Sequence, residues 1–268
     1  MTIRTTAWRN GIPCWVELVT ADFARAHSFY AAILGWTGSR EPEQGDQFSV
    51  VKQGQAAVAG FRRGDGDHVG WAVYIAVDDV DGMAAAAVAN GAGMVVAPEN
   101  QHGSGDAQVL GRRAVVNDPS GAPIGLWQGL ALNGCQLVNE PGGLCFEELA
   151  SPDPASAGLF LESLFGYVRT IDPASFAPEY STFRLHDETF PLGAVRAVIA
   201  GDPVGGGWLP QFGVHSASEA CDEAVRRGGQ VVRRPFVNAG EEIAGLIDPE
   251  GIQFWVVTST GEGQPDRR

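Results

Sequence analysis

Two glutamates hold matching places in this chain. Residues 11–36 (GIPCWVELVTADFARAHSFYAAILGW) align without a gap on residues 142–167 (GGLCFEELASPDPASAGLFLESLFGY), setting Glu17 on Glu148. A carboxylate placed among aromatic side chains and shielded from water has its pKa raised by desolvation, which suits a general acid or base near neutral pH. The same carboxylate becomes a structural group when a guanidinium holds it. Arg62, Arg63, Arg112, Arg184 and Arg196 lie on or beside the strands that could supply one. Both readings stay open on the sequence.

Alternation along strands decides which side chains share a face with the glutamates. With Trp15 inward, Glu17 and Val19 follow, and the second half gives Phe146, Glu148 and Ala150. Strands later in each half add Ala72, Tyr74 and Ala76, matched by Leu209, Gln211 and Gly213. The closing strands add Pro123, Gly125 and Trp127, matched by Gln253, Trp255 and Val257. Each half is thus expected to hold an aromatic, sparsely polar basin of the kind that takes small molecules. Glu17 and Glu148 are its proton-transfer candidates. Trp15, Tyr74, Trp127, Phe146, Gln211, Gln253 and Trp255 are its binding candidates. His102 joins them because its segment, ENQHGSGDAQVLGRR, is longer than its counterpart and could cover the first basin. His27, His68, His186 and His215 are scattered, and no helix start follows GSGD to make it a phosphate cradle.

The elements that must carry these residues repeat as well. Residues 14–19 and 145–150 read as strands, each followed by a helix capped by Asp22 or Asp153, with Pro154 at a first helical position. Gly35 and Gly166 stand where a helix ends in a left-handed residue. A strand pair follows at 50–53 and 56–62, matched by the region 180–199. A fresh strand (71–77, 208–214) leads to a helix capped by Asp79 or Ser216, and Glu219 gives Ser216 capping-box spacing. Strands near 94–97, 112–116 and 123–128 match 230–234, 242–247 and 252–258. The reading is α+β, tandem duplicated βαβββ modules, four in all, forming two cup-shaped sheets flanked by helices. The boundaries are residues 1–130, a linker at 131–142, a second domain at 143–258 and a flexible tail at 259–268.

Composition narrows the partners. The chain has 268 residues, 44% of them hydrophobic, and a formal net charge of -14, which disfavours nucleic acid and anionic membrane surfaces. No apolar run is long enough to cross a bilayer and MTIRTTAWRN has no signal-peptide core, so a cytoplasmic location is expected. Four cysteines form no C-x-x-C pair, and read as reduced bystanders.

The duplicated modules, the opening G-x-P-C-W-V-E-L strand, the D-x-x-x-A-x-x-F-Y helix and the closing D-P-x-G turn resemble the vicinal oxygen chelate superfamily, which includes glyoxalases, extradiol dioxygenases and bleomycin-resistance proteins. The resemblance is greatest to a two-domain actinobacterial glyoxalase-like branch, some of whose members lie in anthracycline-type antibiotic pathways. It runs from about Gly11 to Val257 and implies a concave ligand-holding face in each half. Metal-using members place His, Gln or Glu ligands on three strands of a cup. The positions aligned with those ligands are Trp15, Ala72 and Gly125, and Phe146, Leu209 and Trp255, none of them a ligand for a divalent ion.

The expected function is a metal-independent, cofactor-free tailoring enzyme acting by proton transfer, as isomerase, cyclase or lyase, on a small aromatic or polyketide-like molecule. The alternative is a non-catalytic protein that sequesters an antibiotic or intermediate. A metal-dependent glyoxalase or dioxygenase ranks last. The chain is expected to work as monomer or homodimer.

Overall fold

The computed structural model describes residues 3–38, 48–64, 69–103, 108–173, 175–203, 205–238 and 240–259. The expected caps form. Asp22, Asp153, Asp79 and Ser216 accept the amides of Arg25, Ser156, Gly82 and Glu219. They open α1 (Phe23–Leu34), α3 (Pro154–Phe165), α2 (Val80–Ala89) and α4 (Ala217–Arg226). Gly35 and Gly166 close α1 and α3 at φ 72° and 68°, a conformation in which a β-carbon is strained.

The first sheet contains β1 (Pro13–Thr20), β2 (Phe48–Gln53), β3 (Ala56–Arg63), β4 (Gly70–Ala76), β5 (Gly93–His102), β6 (Val109–Asn117) and β7 (Pro123–Gly129). Among the described residues its order is β2-β3-β1-β4-β7-β6-β5. The second contains β8 (Leu144–Ser151), β9 (Val168–Ile171), β10 (Ser181–Arg184), β11 (Gly193–Ala197), β12 (Gly207–Val214), β13 (Gln230–Asn238), β14 (Glu241–Ile247) and β15 (Gln253–Thr258), in the order β13-β14-β15-β12-β8-β11-β10-β9. In each sheet two modules meet at an antiparallel pair, β1 with β4 and β8 with β12. Parallel pairs flank it, β1 with β3 and β4 with β7, β8 with β11 and β12 with β15. The fold is therefore α+β, built from duplicated modules as the sequence repeat predicts.

Both sheets curl. Arg62 on β3 donates to Gln101 on β5 across 2.5 Å, although four strands separate them in the first sheet. In the second, Phe176, in the segment that joins β9 to β10 at one edge, packs against Phe236 on β13 at the other edge, ring centroids 5.6 Å apart.

The halves share one core. Tyr30 and Phe29 of α1 pack on Phe254 of β15, and Trp71 of β4 meets Phe212 of β12. Polar bonds lock this seam. Glu250, in the closing turn of the second half, accepts the amides of Ala21 and Asp22 and the Thr20 hydroxyl at the start of α1. Tyr30 donates its hydroxyl to Asp248, and Trp208 Nε1 donates to the Pro123 carbonyl.

Residues 131–142, expected as a linker, are strapped down. Leu132, Cys135 and Leu137 are buried, the Cys135 amide donates to Cys14 O, and the Gly142 amide donates to Gly213 O. The strand expected at 94–97 runs on to His102, because the polar residues 99–102 still pair with β6. His102 is thereby an exposed strand-end residue rather than part of a loop. His68 and most of the GSGD segment lie outside the described residues, as does the tail beyond Ser259. Among the described residues no helix is long and apolar enough to cross a membrane.

Candidate functional site

In the first cup the inward rings pack against one another. Trp15, Glu17, Tyr74 and Trp127 are all at most 1% exposed. Trp15 stacks on Trp127 at 6.3 Å, and Tyr74 stands edge-on to Trp127. Small residues make room for the rings. A β-carbon on Gly125 would lie 2.3 Å from the Tyr74 ring, and one on Gly111 2.5 Å from Trp127. Glu17 sits beneath in an ion-pair network. Arg62 Nε donates to it at 2.5 Å, the Tyr74 hydroxyl lies 3.4 Å away, and Arg113 reaches it at 3.8 Å while donating to the Tyr74 hydroxyl at 3.0 Å. Burial pushes the Tyr74 phenol well above its ordinary value, so it stays protonated.

Glu148 is held in the same way. Arg196 Nε donates to it at 2.7 Å and grips Asp202 with both terminal nitrogens, at 2.5 and 3.0 Å. Arg196 is 0% exposed. Burial raises the Glu148 pKa against the opposing pull of Arg196. Arg62 pairs in register with Val19 and Arg196 with Ala150, residues that align in the repeat, so the Glu–Arg pair is itself duplicated. The choice between a lone acid and a guanidinium-bound one thus falls to the bound form in both halves.

The second cup is not full. Trp255 fills one end, against Phe176 and Phe236, and Arg233 stacks over both phenylalanines. At the other end lies a cavity of about 190 Å³. Phe146, Gln211, Ile243 and Val257 form its sheet wall, Tyr180 and Thr182 its side, and Asn139, Asp172, Asn238 and Glu241 also line it. Of the residues expected inward from the sequence, Phe146, Gln211 and Val257 reach this cavity. Glu148, Gln253 and Trp255 are buried and do not line it. Tyr180, Asn139, Asp172 and Glu241 gave no periodic signal, since the first three lie outside the strands and Glu241 is the first residue of β14. Behind the wall, Tyr180 lies close enough to Glu148 for that charge to add to burial in pushing its phenol well up.

Cross-strand register tests the fit to a metal. The rows are Trp15–Tyr74–Gly125 and Phe146–Gln211–Trp255, so Tyr74 and Gln211, not Ala72 and Leu209, stand opposite the first-strand positions. Neither choice of row supplies a set of imidazole, thiolate and carboxylate ligands. Among the described residues no group of three or more His, Cys, Asp or Glu side chains is placed to hold an ion. The residues present do not fit the metal of metal-using relatives.

Curled sheets of paired βαβββ modules, with a concave face in each half, define the vicinal oxygen chelate fold, and the chain belongs to the glyoxalase-like family. The glyoxalase-like domain matches residues 15–127. CFP32 of Mycobacterium tuberculosis (strain CDC 1551 / Oshkosh), whose name places it among glyoxylases, is 32% identical over 262 residues, covering 95% of this chain and 97% of its own. The anthracycline biosynthesis protein DauV of Streptomyces sp. (strain C5) is 27% identical over 269 residues, covering 94% of each. The Mn(II)-bound glyoxalase from Novosphingobium aromaticivorans superposes with a TM-score of 0.67 at 16% identity, covering 94% of this chain and 83% of its own.

Proposed function

We propose that this protein serves specialised metabolism by binding an aromatic or polyketide-like small molecule in its second cup, without a metal ion. The observation that carries the reading is the cavity between Phe146, Tyr180 and Gln211, which offers aromatic faces and hydrogen-bonding groups where the ligand rows supply no metal-binding set. The similarity to DauV supports the aromatic, polyketide-like class of ligand. In the tailoring form of the proposal, the Tyr180 phenol, protonated at neutral pH, donates a hydrogen bond or a proton to a ligand oxygen. Glu148 and Arg196 act as positioning residues behind it.

The test uses 1,4-dihydroxyanthraquinone as a fluorescent probe. Wild type should bind it, and chelator-dialysed protein equally well. Ser175 and Thr182 both line the cavity, and Ser175→Trp and Thr182→Trp, which fill it, should weaken binding by on the order of tenfold or more with the melting temperature held. Binding that survives both substitutions, or that demands added Mn²⁺, overturns the proposal. A sequestering protein is the second reading, favoured by the guanidinium grip on both Glu17 and Glu148, which withholds them from proton transfer. Mass spectrometry of ligand released after incubation separates the two, since a sequestered molecule returns unchanged.

A further inference from the structure

Three neutral side chains of the second cup keep their polar atoms open. Gln211, Tyr180 and Thr182 line the cavity. Among the described residues nothing hydrogen-bonds the Gln211 carboxamide or either hydroxyl, and none of these polar atoms is sealed from water. A polar group that loses water to a ligand without gaining a partner weakens binding, so the site favours an occupant whose own groups answer these. The carboxylates that also line the cavity, Asp172 and Glu241, have interactions of their own within the chain.

Position singles out Gln211 among the three. It lies on β12, in the middle of the sheet, opposite Phe146 on β8 and beside Trp255 on β15. The register between β12 and β8 slips directly after it, and such a slip re-aims the side chains around it. The first sheet slips at the matched place, between Tyr74 and Ile75. There the Tyr74 hydroxyl accepts from Arg113 at 3.0 Å, so the protein itself occupies it. The repeat thus exchanges an occupied hydroxyl for a carboxamide that has no partner among the described residues.

Size and chemistry define what answers that carboxamide. A cavity of about 150 Å³ takes benzene, so one of about 190 Å³ encloses a single substituted ring and leaves the rest of a larger ligand outside. The Phe146 and Tyr180 rings border that space. A carboxamide offers an acceptor in its Oε1, and a phenol kept protonated by burial, as Tyr180 is, offers a donor. A hydroxyl on the enclosed ring uses both at once, giving its proton to one and accepting from the other. A ketone or an ether can only accept.

We infer that Gln211 sets the specificity of the second cup by recognising a neutral hydroxyl on an aromatic ring of the ligand, its Oε1 accepting from that hydroxyl while Tyr180 donates to the same oxygen. This deepens the functional reading above and rests on it.

The experiment is isothermal titration of the full chain with 2-naphthol, 2-methoxynaphthalene and naphthalene at pH 7. The naphthol should bind on the order of tenfold tighter than naphthalene, as one to two net hydrogen bonds require, with the ether between them. Gln211→Leu should remove the advantage of the naphthol over the ether, and Tyr180→Phe that of the ether over naphthalene, each with the melting temperature unchanged. The two variants act on different steps of the series, which separates lost recognition from general damage to the fold. Equal binding of naphthol and ether by wild type, or an undiminished naphthol advantage in Gln211→Leu, overturns the inference and leaves the cup as an aromatic site. Binding of none of the three probes, or binding that Ser175→Trp leaves untouched, overturns the inference together with the reading it rests on.

Discussion

Asp248 should make this protein less stable as pH rises from about 4 to about 6. Its carboxylate is 2% exposed at the seam between the halves. Oδ1 accepts the amides of Glu250 and Ile252, and Oδ2 accepts the Tyr30 hydroxyl at 3.1 Å. Burial outweighs these bonds and pushes the pKa from 3.8 up to about 6. In the unfolded chain the group titrates near its ordinary value, so between the two values the folded state binds the extra proton. Stability then falls with rising pH, the reverse of the usual acidic residue. The rise corresponds to about 3 kcal/mol at roughly 1.4 kcal/mol per pH unit. The contribution is absent below pH 4, where both states are protonated, and complete above pH 6, where the folded state bears a buried charge. Asp248→Asn keeps an oxygen for the two amides and cannot ionise. Urea denaturation of wild type and variant at half-unit intervals from pH 4 to 7.5 isolates the group, since every other titration cancels in the difference. The variant should gain about 3 kcal/mol on wild type across that window. Parallel curves would refute the reasoning and show that the three hydrogen bonds hold the carboxylate near its ordinary value.

Other substitutions test the packing. Arg196→Met strips the cation from between Glu148 and Asp202 and should destabilise the fold by about 3–5 kcal/mol; adding Glu148→Gln and Asp202→Asn should return most of the loss, read from urea midpoints. Gly125→Ala drives a methyl into the Tyr74 ring and should cost about 1–3 kcal/mol, whereas Gly93→Ala, with nothing within 4 Å, should stay within about 0.5 kcal/mol of wild type by the same measurement. Glu250→Ala removes three bonds to the start of α1 and should lower stability by about 1–3 kcal/mol. Hydrogen exchange should then speed up first at the amides of Ala21 and Asp22.

Local signals were sufficient for the frame. Asp22, Asp153, Asp79 and Ser216 cap because a short acceptor side chain placed before a helix has one nearby use, and the repeat gave each cap a second instance. Inward and outward faces followed from strand alternation, which placed Trp15, Glu17, Tyr74 and Trp127 together. Two features depended on distant contacts and were not legible. The state of Glu17 and Glu148 hangs on arginines 45 and 48 residues away, brought alongside only by parallel pairing of β1 with β3 and of β8 with β11. The cavity depends on Asn139, Asp172 and Tyr180, which come from the interdomain strap and the stretch between β9 and β10, where no period marks a side chain as inward.

Why rings crowd the first cup and leave a cavity in the second follows from exchanges of ring volume at matched positions. Trp127 aligns with Val257 and Tyr74 with Gln211, so two large rings of the first cup give way to smaller side chains in the second. Both replacements border the cavity. Gly125 aligns with Trp255, and that exchange works the other way, adding an indole where the first half has only backbone. Trp255 sits with Leu209 and Phe176 at the far end and leaves the space beside Gln211 and Val257 clear. Close packing of Trp15, Tyr74 and Trp127 over the Glu17 ion pairs makes the first half a rigid buttress. The shared core through Tyr30, Trp71, Phe212 and Phe254 ties that buttress to the open half. The volume exchanges put the open space of the second copy beside Gln211 and Val257, the positions matched to Tyr74 and Trp127 in the first.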